Sequence, residues 1–213
     1  LYRYTGQEDI IIGSPIAGRE HVDLEDQIGF YVNTLALRTQ FKGEDSYDSL
    51  LERVKEVSLG AYQHQLYPFD ELVDDLKLQR DMSRSALFDV MVVLQNADIG
   101  FQTIELKNLG DIKISSYKEV ENVHSKFDLT FNFVEMGEEL ETSIEYNSDL
   151  YNKATIERMA DHLEQMLGAM ISDPGKPINQ IDYLSKEERV QLLEEFNDTE
   201  ACYSVEKTIA ELF

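Results

Sequence analysis

The apolar positions of this chain change period several times, and each change marks an element. Asp9-Ile10-Ile11-Ile12-Gly13 is a short apolar run closed by glycine, followed by the turn-rich Ser14-Pro15-Ile16-Ala17-Gly18-Arg19. That pattern predicts a buried strand over residues 9–13 entering a loop. Residues 28–38 are rich in β-branched and aromatic side chains and predict a second strand. Alternation there sets Phe30, Val32, Thr34 and Ala36 on one face and Tyr31, Asn33, Leu35 and Leu37 on the other. Both faces read as largely covered, with Asn33 the polar exception.

From Ser46 the period lengthens. Leu50, Val54, Val57 and Ala61 recur at spacings of four, three and four, the stripe of an amphipathic helix of about four turns. It runs out near His64-Gln65-Leu66-Tyr67, because Pro68 disfavours helical angles in the residue before it. Pro68 suits the first turn of a second, shorter helix with Phe69, Leu72, Val73 and Leu76 on its apolar face. Residues 80–85 are polar and loop-like. Residues 87–96 form the most continuous apolar run and predict a strand in the middle of a sheet, ended by the amide of Gln95.

Residues 126–133 and 140–147 alternate cleanly, and Met136-Gly137-Glu138 between them predicts a hairpin turn. Ile156, Met159, Leu163, Met166, Leu167 and Met170 then predict a helix packed on that sheet, its methionines core residues, ending before Pro174 and Gly175. Two of the four prolines, Pro174 and Pro177, mark a domain edge and the start of a connector. Within it, Ser185-Lys186-Glu187-Glu188 matches the reciprocal Ser-x-x-Glu capping box ahead of Val190, Leu192, Leu193 and Phe196. Residues 207–213 read as helical and close without a stop signal, and the chain opens on Leu1 rather than Met. These two features predict a segment of a longer protein.

Charge narrows the function. With 42 Asp+Glu against 19 Lys+Arg in 213 residues, the formal net charge is −23, which argues against a nucleic-acid partner. Apolar residues at 42% are enough for a core, unlike a disordered acidic tail. A single cysteine, Cys202, excludes an internal disulfide framework and points to a reducing cytoplasm. No apolar run approaches the length of a membrane span.

Familiar chemistries do not match. His21, His64, His124 and His162 are scattered, with no pair at the spacing of metal ligands on one helix face, so no metal site is expected. There is no glycine-rich phosphate loop and no Gly-x-Ser-x-Gly elbow. Acidic pairs such as Asp74-Asp75 and Glu194-Glu195 read as solvated faces. Acidic neighbours of Cys202 discourage a thiolate.

Three segments nevertheless form an ordered set. Ile28-Gly29-Phe30-Tyr31-Val32-Asn33-Thr34 resembles a Gly-x-Phe-Val-Asn-Thr motif. His64-Gln65-Leu66-Tyr67-Pro68-Phe69-Asp70 resembles His-Gln-x-x-Pro-Phe-Glu, with Asp for Glu, and residues 80–87 resemble Arg-Asp-x-Ser-Arg-x-x-Leu. In this order they resemble the C-terminal half of a non-ribosomal peptide synthetase condensation domain. The resemblance implies an α/β two-layer sandwich, the second lobe of a chloramphenicol-acetyltransferase-like (CoA-dependent acyltransferase) fold with a mixed sheet and packed helices. It also implies residues 1–177 as that lobe, 178–203 as a linker, and 204–213 as the start of an adenylation domain.

The family's His-His-x-x-x-Asp-Gly motif belongs to the first lobe and does not occur here, so the segment is expected to be inactive alone. In the whole domain an acceptor aminoacyl amine would attack a donor thioester. Both would be carried on phosphopantetheine arms of partner carrier domains, and this chain itself would hold no cofactor. The expected partners are donor and acceptor carrier domains, the absent N-terminal lobe and the following adenylation domain, with self-association through the surface that lobe would cover. Gln95 and Asn33 are candidates for the wall of the substrate tunnel, where an amide can hydrogen-bond a peptide-like substrate or the arm. Arg80, Asp81 and Arg84 read as an ion-paired structural loop, and His64 and Pro68 as packing elements. The alternatives are a carrier-docking module without chemistry and an epimerisation domain of the same fold.

Overall fold

Local sequence signals explain most of the elements in the computed structural model, which describes residues 1–78, 84–95 and 124–200. A short helix α1 (Tyr2–Thr5) precedes strand β1 (Asp9–Ile16), a one-turn helix α2 (Val22–Glu25) and strand β2 (Asn33–Gln40). Helix α3 (Tyr47–Gln63) follows, started by Ser46, whose side chain accepts from the Ser49 N–H. Helix α4 (Phe69–Asp75) comes next, with Pro68 at its N-cap rather than inside its first turn. Strands β3 (Val90–Gln95), β4 (Leu129–Met136) and β5 (Glu139–Tyr146) complete the sheet. Helix α5 (Lys153–Ser172), capped by Asn152, and helix α6 (Lys186–Leu193) close the described chain.

The sheet order is β2-β1-β3-β4-β5. β1 pairs antiparallel with β2 and parallel with β3, β3 pairs parallel with β4, and β4 with β5 antiparallel. The most apolar strand is thus central, as a strand covered on both faces should be. In the β4–β5 hairpin, Met136 pairs with Glu139 across Gly137 and Glu138. Gly137 takes φ 71° at the first central position, the arrangement of a two-residue II′ turn.

One face of the sheet carries the main core. Leu129, Phe131 and Ile156 are buried together, with Val90, Val92, Phe133, Met159 and Leu163 packed around them. Residues from α3 (Leu50, Val54) and α5 (Met166, Met170) meet Ile10, Ile12 and Leu37 on the same side. This is a helix layer on a mixed sheet, as the motif resemblance implies.

Three local expectations change. β1 continues through Ser14-Pro15-Ile16 instead of ending at Gly13, because β2 pairs with it to Ile16↔Asn33. For the same reason β2 starts only at Asn33. Residues 28–32 lie beyond the end of their partner strand, and Ile28 and Phe30 are exposed rather than buried. β2 is also an edge strand, and along it only Leu35 is buried, with Arg38 and Gln40 exposed. Arg80, Asp81 and the segments 204–213 and 207–213 lie outside the described residues.

Candidate functional site

The parallel strands β1 and β3 pair at Gly13↔Met91, while β3 pairs with β4 along its full length. Pro15 has no N–H to give a ladder, and it stands in β1 just beyond that contact. The carboxyl ends of β1 and β3 therefore border an open cleft of about 820 Å³. Its lining includes residues 14–20 from the end of β1, Val32 before β2, Tyr62 and Gln65 at the end of α3, and Val93, Leu94 and Gln95 of β3. Crevices outside the carboxyl ends of parallel strands are the usual ligand sites of open α/β sheets.

The sequence motifs build the walls. Asn33, at the first position of β2, donates through Nδ2 to the Gln65 and Tyr67 carbonyls, both at 2.9 Å. Its Oδ1 accepts from the Phe69 N–H at 3.2 Å. One amide thus holds the corner between α3 and α4, and both of its N–H groups are occupied by backbone. His64 is exposed at the C-cap of α3, its own N–H donating to the Ala61 carbonyl and its carbonyl accepting from Tyr67. Pro68, with φ −64° and ψ 138°, turns the chain into α4.

Beyond that corner, Phe69 packs on Phe88 and Phe88 on Phe127, each pair with ring centroids 5.5 Å apart. Phe88 is buried, and its ring fills the space where a Cβ of Gly13 would stand, 2.2 Å from Cε2. Gly13 therefore admits an aromatic ring onto β1, a role of strand glycines that an apolar run ended by Gly could also have signalled. Arg84 pairs with Asp89 immediately after Phe88. Nearby, partial burial and the Asp89 charge push the Asp128 carboxyl up. The first two motifs thus meet at the α3–α4 corner, and Phe69 of the second packs on Phe88, which follows the third directly in sequence.

A second bracket shapes the outer wall. The Arg19 guanidinium donates to the carbonyls of Leu24 and Gly29 and lies 4.4 Å from the centre of the Tyr31 ring. Gly18, at φ 65°, lets the Tyr31 carbonyl approach where a Cβ would stand. The loop between β1 and β2 is in this way tied to the rim of the cleft. Sequence reading missed this bracket, for which the only signal was an Arg after a Gly-containing turn.

Of the two candidate wall residues, Gln95 ends β3 exposed and lines the cleft. Asn33 stands at the same sheet end, across β1, but its amide faces the α3–α4 corner. The cleft offers hydroxyl and amide groups from Ser14, Tyr62, Gln65 and Gln95 and the charged side chains of Arg19 and Glu20, and no histidine is among its lining residues. Such a wall can orient a polar chain, and Glu20 is the one carboxylate among its lining residues.

The family model described as Condensation domain matches residues 1–193. Bacitracin synthase 1 of Bacillus licheniformis is 43% identical over 213 residues, 100% of this chain and 4% of that protein. Gramicidin S synthase 2 of Brevibacillus brevis is 42% identical over 213 residues, 100% of this chain and 5% of that protein. The chain therefore spans only a small part of the length of these relatives, 4% and 5%. Among solved structures, a four-domain nonribosomal peptide synthetase bound to AMP and glycine, holo-AB3403, shares the fold with TM-score 0.77 at 22% identity, over 88% of this chain and 15% of that one.

Proposed function

Because the chain belongs to the condensation-domain family, with the chloramphenicol-acetyltransferase-like fold its motifs implied, we propose that it is the second lobe of a condensation domain in a peptide synthetase. Its task on this reading is to form one wall of the tunnel in which an acceptor aminoacyl amine attacks a donor thioester. The new C–N bond replaces the C–S bond, the thiol leaves on the donor arm, and the proton lost by the amine ends on that thiol. Aminolysis of a thioester is downhill, so positioning and proton handling are what the domain must supply.

The cleft at the carboxyl ends of β1 and β3 carries this reading. A phosphopantetheine arm carries amides and one hydroxyl along its length, and the amides and hydroxyls that line the cleft are complementary to it. In this proposal Gln95 hydrogen-bonds the arm or the peptide. Asn33 contributes by holding the Gln65–Phe69 corner that forms the neighbouring wall.

The proton-handling group would come from the lobe that precedes this one, so residues 1–213 alone would not catalyse. That lobe would also cover the exposed Ile28, Phe30 and Leu94, which are free to drive self-association in its absence. Residues 1–177 would form the lobe, 178–203 the linker, and 204–213 the start of an adenylation domain. We place the protein in the cytoplasm, in keeping with one cysteine in 213 residues. None of the described helices is long and apolar enough to cross a membrane.

The test is condensation between carrier domains loaded with donor and acceptor. It compares residues 1–213, the same chain extended through the preceding lobe, and the extended chain with Gln95→Ala. The expected result is product from the extended protein only, slowed about 3–10-fold by Gln95→Ala, the loss of one neutral hydrogen bond. Product from residues 1–213 alone would overturn the half-site reading. Silence of the extended protein would favour a carrier-docking role without chemistry.

A further inference from the structure

His162 is a buried, polar side chain that the cleft does not use. It sits on α5 at 7% exposure, far in sequence from both of its partners. Its Nε2 lies 3.0 Å from each carboxylate oxygen of Glu188 at the start of α6, and its Nδ1 lies 2.6 Å from the Tyr4 hydroxyl on α1. A carboxylate can only accept, so Nε2 carries the proton and donates. In the neutral ring Nδ1 then accepts from the Tyr4 hydroxyl; in the imidazolium it donates to the same oxygen, so the Tyr4 bond is kept in both forms. Burial pushes the Tyr4 hydroxyl above its ordinary range, which keeps it protonated.

Glu188 has two duties. It is the third helical residue of the capping box, accepting from the Ser185 N–H at 3.0 Å while the Ser185 Oγ accepts from its own N–H at 3.1 Å. The bond from His162, and after it the Ser185 N–H, hold its carboxyl below the usual carboxylate range. The group that starts α6 is therefore also the group that ties α6 to α5. Tyr183 closes the node, its ring edge-on to His162 at 4.8 Å and under the Arg3 guanidinium at 5.0 Å. Upstream, the segment after Pro177 is already anchored, with Ile178 and Ile181 buried and the Ile178 and Asn179 N–H groups donating to the Asp45 and Gly43 carbonyls. α6 itself shows no buried residue, so apolar packing does not account for its place on the lobe.

We propose that the Tyr4–His162–Glu188 relay is a latch that fixes the direction in which the chain leaves the lobe, with His162 as its positioning residue. With the latch intact, α6 starts at one place and one angle on α5. Without it, the connector stays attached through Ile178 and Ile181 while α6 swings free. This goes beyond the condensation reading and stands whether or not the cleft binds a pantetheine arm.

The experiment is amide hydrogen exchange by mass spectrometry on the full-length protein that contains this segment, comparing wild type with His162→Phe, His162→Gln and Glu188→Ala. Phenylalanine keeps the ring and loses both bonds, whereas a glutamine amide can still donate to Glu188 and accept from Tyr4. Peptides covering α6 are expected to exchange at least tenfold faster in His162→Phe and Glu188→Ala. His162→Gln is expected to lie near wild type, and peptides of β1 and β3 to stay unchanged. Unchanged α6 exchange in both disabling variants would overturn the latch. Faster exchange spread over the sheet would overturn it too, showing His162 to be an ordinary core residue. If His162→Phe does not fold, Tyr4→Phe, which removes one bond of the relay and leaves the Ser185–Glu188 capping box intact, decides instead: faster exchange of α6 alone supports the latch and unchanged exchange overturns it.

Discussion

Replacing Asn33 separates a wall-building amide from a substrate-binding one. The side chain makes three hydrogen bonds to backbone groups of the α3–α4 corner, at 2.9, 2.9 and 3.2 Å. Each is worth ~0.5–1.5 kcal/mol net, and the corner is partly open to water, which can replace what is lost. Asn33→Ala is therefore expected to cost about 2 kcal/mol, on the order of 4–8 °C in Tm for a chain of this size. Asn33→Asp is the sharper variant. It keeps the acceptor for Phe69 but sets a carboxylate oxygen against the Gln65 and Tyr67 carbonyls at the distance of the present donors. The isosteric change should thus be worse than the truncation, by about 1 kcal/mol or more at neutral pH. Urea unfolding of the domain with both lobes, read as a midpoint shift at constant slope, measures this order. Two results would refute the reasoning: Asn33→Asp at least as stable as Asn33→Ala, or a loss of condensation turnover with stability unchanged, which would put the amide on the substrate.

Two further outcomes follow from the same geometry. Gly13→Ala should destabilise the lobe by about 1–3 kcal/mol, because Phe88 is held between Phe69 and Phe127 and cannot yield to a Cβ; Phe88→Leu in the same chain should return part of that loss in the same urea assay, and no rescue would show that the strain lies elsewhere. At the other end of β1, bonds from Arg38 and then Gln40 hold the Asp9 carboxyl at about 2 against an ordinary 3.8. A depressed carboxyl stabilises the fold above its unfolded value and loses that contribution as the pH falls through its folded one. The stability gap between wild type and Asp9→Asn should accordingly be constant above about pH 5 and close between about pH 4 and pH 2. A gap that persists at about pH 2 would be a packing effect instead.

Much of the fold was legible because its signals are local. The Ser185 capping box, the Gly137 turn, the four-three-four stripe of α3 and the central apolar run of β3 each depend on neighbours within a few residues. What failed was of longer range. The start of β2 depends on where β1 ends, so residues 28–32 carry strand-like composition without a strand partner. His162 could not be assigned from its own helix, since Tyr4 and Glu188 lie 158 and 26 residues away. The motifs identified the family but not their own mechanics, because the Asn33 amide of the first completes its bonds on backbone groups of the second.

Asn33 and Phe69 thus have structural roles inside the motifs that hold them. Asn33 fixes the α3–α4 corner, the corner delivers Phe69, Phe69 and Phe127 hold Phe88, and Phe88 needs Gly13 to lie against β1. β1 and β3 are the two strands whose ends frame the cleft, so this chain of contacts reaches the strand that carries one of its walls. On the proposed function, such a wall must hold its shape within a fraction of an ångström to orient two tethered substrates, since small misplacements of reacting groups cost orders of magnitude in rate. Residue types selected for such a scaffold would look catalytic in a sequence and structural in a fold. Substitutions along this chain of contacts should then slow condensation in proportion to how far they move Gln95 and the residues after Pro15, not according to their own distance from the reacting atoms.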